Sequence, residues 1–137
     1  MDAVVRRFGL TGLISKKAGG LNDGYKKRLS MAVALMHNPD ILFLDEPTSS
    51  IDPLARRLFW RSINRLADEG KAIIVTTHFM EEAEYCTRIA IQDRGHMLAL
   101  GSPKEVKAVA GLPETANMNE AFIKIVKAYG EAGSADD

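Results

Sequence analysis

Ile41-Leu42-Phe43-Leu44-Asp45-Glu46-Pro47-Thr48 decides the reading of this chain. Four large apolar residues run directly into two adjacent carboxylates. A run so short and so apolar predicts a β-strand buried on both faces, as at the centre of a parallel sheet. Pro47 has no N–H to give to a ladder, so the strand ends before it. Asp45 and Glu46 then stand at the carboxyl end of the strand, where open α/β sheets bind ligands. Two neighbouring acids at the rim of a low-dielectric core repel each other, and a cation shared with a substrate would relieve that repulsion. The plainer alternative is a strand followed by an acidic helix cap.

The flanks supply the neighbouring elements. Residues 1–20 read as a short helix from Ala3 to Phe8, then a connector punctuated by Gly9, Gly12, Gly19 and Gly20. Between Tyr25 and His37, Leu29, Ala32, Val33 and Met36 recur at helical spacing, and Asn38-Pro39 stops that helix. Asp52 as N-cap and Pro53 at the first helical position begin another, with Leu54, Leu58, Ile63 and Leu66 along its apolar face and Gly70 just past its end. Ala72–Thr76 is a second apolar strand, and Phe79–Tyr85 a short acidic helix whose Glu81, Glu82 and Glu84 read as a solvated face. Asp93-Arg94-Gly95-His96 turns a hairpin. Ser102-Pro103-Lys104-Glu105 is a capping box. A last helix carries Met118, Phe122, Ile125, Val126 and Tyr129 on one face, with Asn117 as cap and Glu120 at its third position. The order strand–helix–strand–helix–hairpin–helix predicts an α/β fold with a mainly parallel sheet, flanking helices and a C-terminal β-hairpin.

Bulk properties narrow the function. The 137 residues make one domain or a piece of one. Eighteen basic residues balance eighteen acidic ones, which gives no electrostatic case for a nucleic-acid partner. No apolar run approaches the ~18 residues that span a bilayer, and no secretory leader follows Arg6 and Arg7. The single cysteine, Cys86, excludes an internal disulfide and reads as a small buried hydrophobe.

Four elements fall in a fixed order: Leu21-Asn22-Asp23-Gly24-Tyr25 before a helix, Ile41–Glu46 on a strand, Ser50-Ile51-Asp52 before the next helix, and Thr76-Thr77-His78 after the next strand. This order resembles the ATP-binding domain of ABC transporters, and from Leu29 to Gly101 the likeness is nearly continuous. In wording it is similar to the branch that serves ABC-2-type exporters. The resemblance implies a partial P-loop NTPase fold. Residues 1–24 would end the helical subdomain and hold the signature loop, and 25–110 would form the C-terminal portion of the ATPase core. A C-terminal helix over 111–130 and a disordered tail over 131–137 would follow.

The resemblance also implies roles. Asp45 would be the Walker B ligand of Mg2+, Glu46 the general base on the attacking water, and His78 the switch residue at the γ-phosphate. Asn22, Asp23, Gly24 and Tyr25 occupy the signature loop, which in the family contacts ATP held by a second ATP-binding domain. Ser50 and Asp52 occupy the D-loop, which faces the same partner. ATP and Mg2+ are the implied cofactors. An integral membrane transporter subunit is the further partner, and no nucleic acid is expected. The implied location is cytoplasmic, peripheral on the inner face of the cell membrane.

Two departures qualify this. Asn22, Asp23 and Tyr25 replace the family's Ser, first Gly and Gln, and a carboxylate at contact distance from a phosphate would repel it by ~4 kcal/mol at an effective dielectric of 20. Asp23 must therefore point away, be neutralised, or mark a weakened site. A phosphate-cradling G-x-x-x-x-G-K-[ST] is absent, since Gly70-Lys71 is followed by Ala72. The chain reads as starting inside the helical subdomain, and the P-loop strand is missing from its sheet. The expected function is thus the C-terminal portion of a transporter ATPase. A degenerate, non-hydrolysing module acting through protein contacts is the alternative. Alone, the chain is expected neither to hydrolyse ATP nor to hold Mg-ATP, and equilibrium dialysis showing submillimolar binding would contradict this.

Overall fold

The apolar run forms β1 (Ile41–Asp45) and its successor forms β2 (Ala72–Thr76), in a computed structural model that describes residues 2–133. The two strands pair in parallel, with Ile41 opposite Ala72, Phe43 opposite Ile74 and Asp45 opposite Thr76. A parallel pair needs a crossover, and α3 (Pro53–Asp68) supplies it. Ahead of β1 lie α1 (Asp2–Arg7), two 3-10 turns at Thr11–Leu13 and Ala18–Gly20, and α2 (Asp23–Leu35). The chain divides into two compact units, the first ending at Thr77 and the second beginning at His78.

In the first unit, local signals set the helix ends. The Asp52 side chain accepts from the Ala55 N–H at 2.9 Å, and Pro53 opens α3. Gly70 closes it at φ +91°, with Gly70 N–H donating to the Ala67 carbonyl and Lys71 N–H to the Leu66 carbonyl. These paired bonds form a Schellman motif, whose positive φ glycine meets without a Cβ clash. The buried stripe of α3 is Phe59, Trp60, Ile63 and Leu66. Leu54 and Leu58, expected on that stripe, are exposed instead, because the helix turns its bulkier Phe59–Trp60 pair inward. In α2, Met31, Ala32 and Leu35 are buried while Val33 and Met36 are exposed, a face shifted from the expected one.

The expectation that β1 is buried on both faces is corrected. Leu42 is buried, but Phe43 on the opposite face is 74% exposed and Ile41, Ile74 beside it are also open. The cause is the width of the sheet. Among the described residues this sheet has two strands only, and the face that carries Ile41, Phe43 and Ile74 is open.

The second unit is built on an antiparallel hairpin, β3 (Ile89–Asp93) and β4 (His96–Gly101). Arg94 and Gly95 both have positive φ, +46° and +82°, as a two-residue type I′ turn demands. A bulge at Ile91/Gln92 shifts the register. The capping box forms in full at the start of α4 (Pro103–Val109). The bond from the Ser102 backbone N–H holds the Glu105 carboxyl below its ordinary range. Helix α5 (Met118–Gly133) starts at Asn117, whose Oδ1 accepts from Glu120 N–H at 2.9 Å. It runs past the expected boundary at 130 into what was expected to be tail, and residues 134–137 lie outside the described residues. Ala83, Ile91, Ala99, Val106, Met118, Ala121 and Ile125 form the core.

The acidic segment is a 3-10 turn, Met80–Tyr85, and it is not a uniformly solvated face. Glu82 is fully buried, and Glu84 takes the ammonium of the buried Lys107 at 2.7 Å. Cys86 is half-buried, and burial, then the nearby Glu82, pushes its thiol pKa up, the setting of an inert thiol.

The open apolar face of β1 and β2 sets an expected solution behaviour. The purified chain is expected to self-associate at micromolar concentration, and Phe43→Lys to shift its sedimentation toward monomer. A wild-type chain that stays monomeric would contradict this.

Candidate functional site

Parallel pairing places Asp45 and Thr76 side by side at the carboxyl ends of their strands. The Thr76 hydroxyl donates to Asp45 Oδ1, which fixes the carboxylate on the open face of the sheet. Glu46 N–H then donates both to the Thr76 carbonyl at 3.0 Å and to its hydroxyl at 3.2 Å. Glu46 adopts φ +41°. A non-glycine residue held in that left-handed region carries roughly 1–3 kcal/mol of strain and persists where its surroundings over-determine it. The Thr76 clamp is one such constraint. Lys27 is another: its ammonium donates to the Glu46 carbonyl at 3.2 Å and to Ser49 Oγ at 3.3 Å. Ser49 Oγ also donates to the Glu46 carbonyl at 3.0 Å. Pro47 and Thr48 are buried behind this turn, Thr48 completely.

This left-handed step takes Glu46 out of the strand's alternation. Asp45 keeps its place on the sheet face, and Glu46 leaves the strand after it. Two adjacent acids therefore project from different backbone geometries, which suits two different tasks.

The signature-like loop is resolved into a helix start. Asn22 is the N-cap of α2, with its Oδ1 accepting from Tyr25 N–H at 3.0 Å. Asp23 lies at the first helical position and is exposed, with its carboxylate 3.6 Å from the Lys26 ammonium. Such an (i, i+3) pair contributes only ~0.2–0.5 kcal/mol, but it sets a cation beside the charge that the phosphate argument found troublesome. Gly24 sits near Ile51 of the loop ahead of α3; a Cβ there would meet Ile51 Cγ2 at 3.8 Å, an ordinary contact. Space does not demand glycine at this position. Tyr25 carries the Arg28 guanidinium over its ring, 5.5 Å from the centroid. Ser50 has φ +66°, and Asp52 caps α3.

Within the first unit the structure thus brings together Asp45, Glu46 and Thr76, and sets Gly24 near Ile51, the residue between Ser50 and Asp52. His78 opens the second unit, where it is exposed and its ring lies 4.1 Å from that of Phe79. Two residues escaped sequence reasoning. Thr76 would have emerged from aligning the last positions of the two predicted strands. Lys27 has no signal in the sequence, since only packing shows that α2 lies against the strand-end turn. Among the described residues no group of three or more His, Cys, Asp or Glu is arranged around a metal position, and no helix is long and apolar enough to cross a membrane.

Comparison with known proteins finds likeness to ABC transporter ATP-binding proteins over most of the chain. A family model described as an AAA domain, putative AbiEii toxin of a type IV toxin–antitoxin system, matches residues 22–82. The probable multidrug ABC transporter ATP-binding protein YbhF of Escherichia coli K12 is 49% identical over 121 residues, which is 87% of this chain and 21% of the relative. The Nod factor export ATP-binding protein I of Burkholderia thailandensis is 49% identical over 89 residues, 64% of this chain and 29% of the relative. Among solved structures, an ABC transporter ATP-binding subunit superimposes with a TM-score of 0.77 at 26% identity, over 90% of this chain and 52% of that one. Clostridium perfringens cbiO1, part of the transporter complex cbiONQ, gives 0.72 at 33% identity, over 78% of this chain and 43% of that one. The chain therefore spans less than a third of these curated relatives and about half of the solved subunits.

The strand-end clamp predicts a measurable cost. Thr76→Val removes the hydroxyl that serves both Asp45 and Glu46, and is expected to destabilise the chain by about 1 kcal/mol in urea unfolding. Thr76→Ser should retain most of that stability. Equal stability of the Val and Ser variants would contradict the clamp.

Proposed function

We propose that this chain, which carries the sequence and fold of part of an ABC transporter ATP-binding domain, forms the metal- and water-handling side of an ATP site. In the complete protein that site would couple ATP hydrolysis to transport through an integral membrane subunit, at the cytoplasmic face of the cell membrane. The observation that carries this reading is the junction at the ends of β1 and β2, where the Thr76 hydroxyl holds Asp45 and the backbone turns left-handed at Glu46.

The donor chemistry fits a hard cation. Asp45 is an exposed carboxylate with one oxygen engaged by Thr76, which leaves its second oxygen for Mg2+, a metal that prefers oxygen ligands and keeps several waters. Bound Mg2+ would offset charge on the β- and γ-phosphates. Glu46 would take the proton of the attacking water, and its fixed backbone spares the reorganisation that a mobile base would need. His78 is the residue proposed for the family's switch role toward the γ-phosphate. Asn22, Asp23, Gly24 and Tyr25, with Ser50 and Asp52, would face ATP and backbone of a second ATP-binding domain. There the Lys26–Asp23 pair would temper the carboxylate.

A second reading is favoured by one observation. Asn22 and Asp23 together make an ordinary capped helix start, and a degenerate module that only contacts other proteins would need nothing more.

A chimera separates the two. Residues 21–101 would replace the aligned segment of the Escherichia coli relative, and steady-state ATPase activity would be measured. Retained activity that falls by ~10²–10⁴ in Glu46→Gln is the expected result. A folded chimera without activity, restored by Asp23→Gly, would instead assign the degenerate reading.

A further inference from the structure

The first unit holds a cleft of about 380 Å3 on the side chains of three helices. Arg6 and Arg7 reach it from α1, Arg28 from α2, and Arg61, Ser62 and Arg65 from α3. Among the described residues no carboxylate lines it. In a chain with as many acidic as basic residues, five guanidinium groups around one cleft are a concentration of charge that composition does not explain.

The five are not equivalent. Glu69 grips Arg7 with both oxygens, at 2.9 Å from Nη1 and 2.6 Å from Nη2. That pair holds the Glu69 carboxyl below its usual range and makes Arg7 a wall of the cleft. Arg28 leans over the Tyr25 ring. Arg6, Arg61 and Arg65 are exposed. Like charges confined together repel, and a polyvalent anion seated among them turns that repulsion into binding. Guanidinium forks match phosphate oxygens in pairs, and the Ser62 hydroxyl adds a neutral donor. The volume is at the small end of ligand sites, so it suits a compact anion. Phe8 and Phe59 line the cleft too, but both are buried, which leaves no open ring to stack on a flat organic ligand.

We propose that this cleft is an anion site for a phosphate group bearing two or more negative charges, carried by a soluble phosphorylated compound or by a lipid headgroup. Its groups are separate from those assigned to nucleotide hydrolysis, so it stands or falls independently of the ATPase reading.

The test has two arms on the 137-residue chain. In the first, inorganic pyrophosphate is titrated calorimetrically in magnesium-free buffer. In the second, co-sedimentation is measured with phosphatidylcholine vesicles containing either phosphatidylinositol 4-phosphate or phosphatidylserine. Pyrophosphate binding that weakens with added salt, and by about tenfold or more in Arg61→Ala/Arg65→Ala, is the expected result for a soluble ligand. Lys16→Ala/Lys17→Ala removes the same charge from the connector and should leave binding intact. Sedimentation with the phosphoinositide vesicles but not the phosphatidylserine ones, competed by pyrophosphate, would assign the headgroup source. Circular dichroism checks the fold of each variant, and Arg6→Gln serves as a milder change should the double variant unfold. Absence of binding in both arms, or binding that the arginine variants leave unchanged, overturns the proposal.

Discussion

The hydroxyl of Thr76 against the carboxylate of Asp45 is the contact on which the site depends. It exists because β1 and β2 run parallel with their last residues in register. A slip of one residue would set Leu44 against Thr76 and turn the carboxylate to the other face. The same threonine holds the Glu46 N–H twice over, so the strand end and the left-handed turn beyond it are one construction. Lys27 ties α2 to that turn through the Glu46 carbonyl. A change in α2 can thus reach the acids without touching them.

Much of this was legible because it is local. Asp52, Ser102 and Asn117 each cap the helix that the sequence assigns to them, since a cap needs only its own next three residues. The Asp93–His96 turn follows from the φ that Arg94-Gly95 must adopt. What was missed is tertiary. Periodicity shows that α3 is amphipathic but not which of its apolar residues face inward, so Leu54 and Leu58 were placed inside while Phe59 and Trp60 hold the core. Glu82 reads as one acid among three, and only tertiary packing makes it buried. The apolar strand was read as covered on both faces because that is what continuous apolar runs normally mean. Here one face is open, and Phe43 shows it.

The signature-like loop illustrates how one stretch can satisfy two demands. Capping requires an oxygen at Asn22, and the turn tolerates an acid at Asp23 with Lys26 one helical turn away. Neither feature opposes a role beside a neighbouring nucleotide, and neither requires one. The acid pair differs in this respect. A solvated strand end does not need a left-handed glutamate held by two side chains from other elements, and that strained backbone is why the proposed role is given to Glu46.

The central proposal is that Asp45 and Glu46 act together on one magnesium-bound triphosphate. A crystal structure of the Escherichia coli relative carrying residues 21–101 and Glu46→Gln, grown with ATP and Mg2+, tests it most directly. The account predicts Asp45 in the metal's coordination sphere, directly or through a water, and position 46 facing the terminal phosphate. Nucleotide bound with those side chains directed to separate surfaces would contradict it.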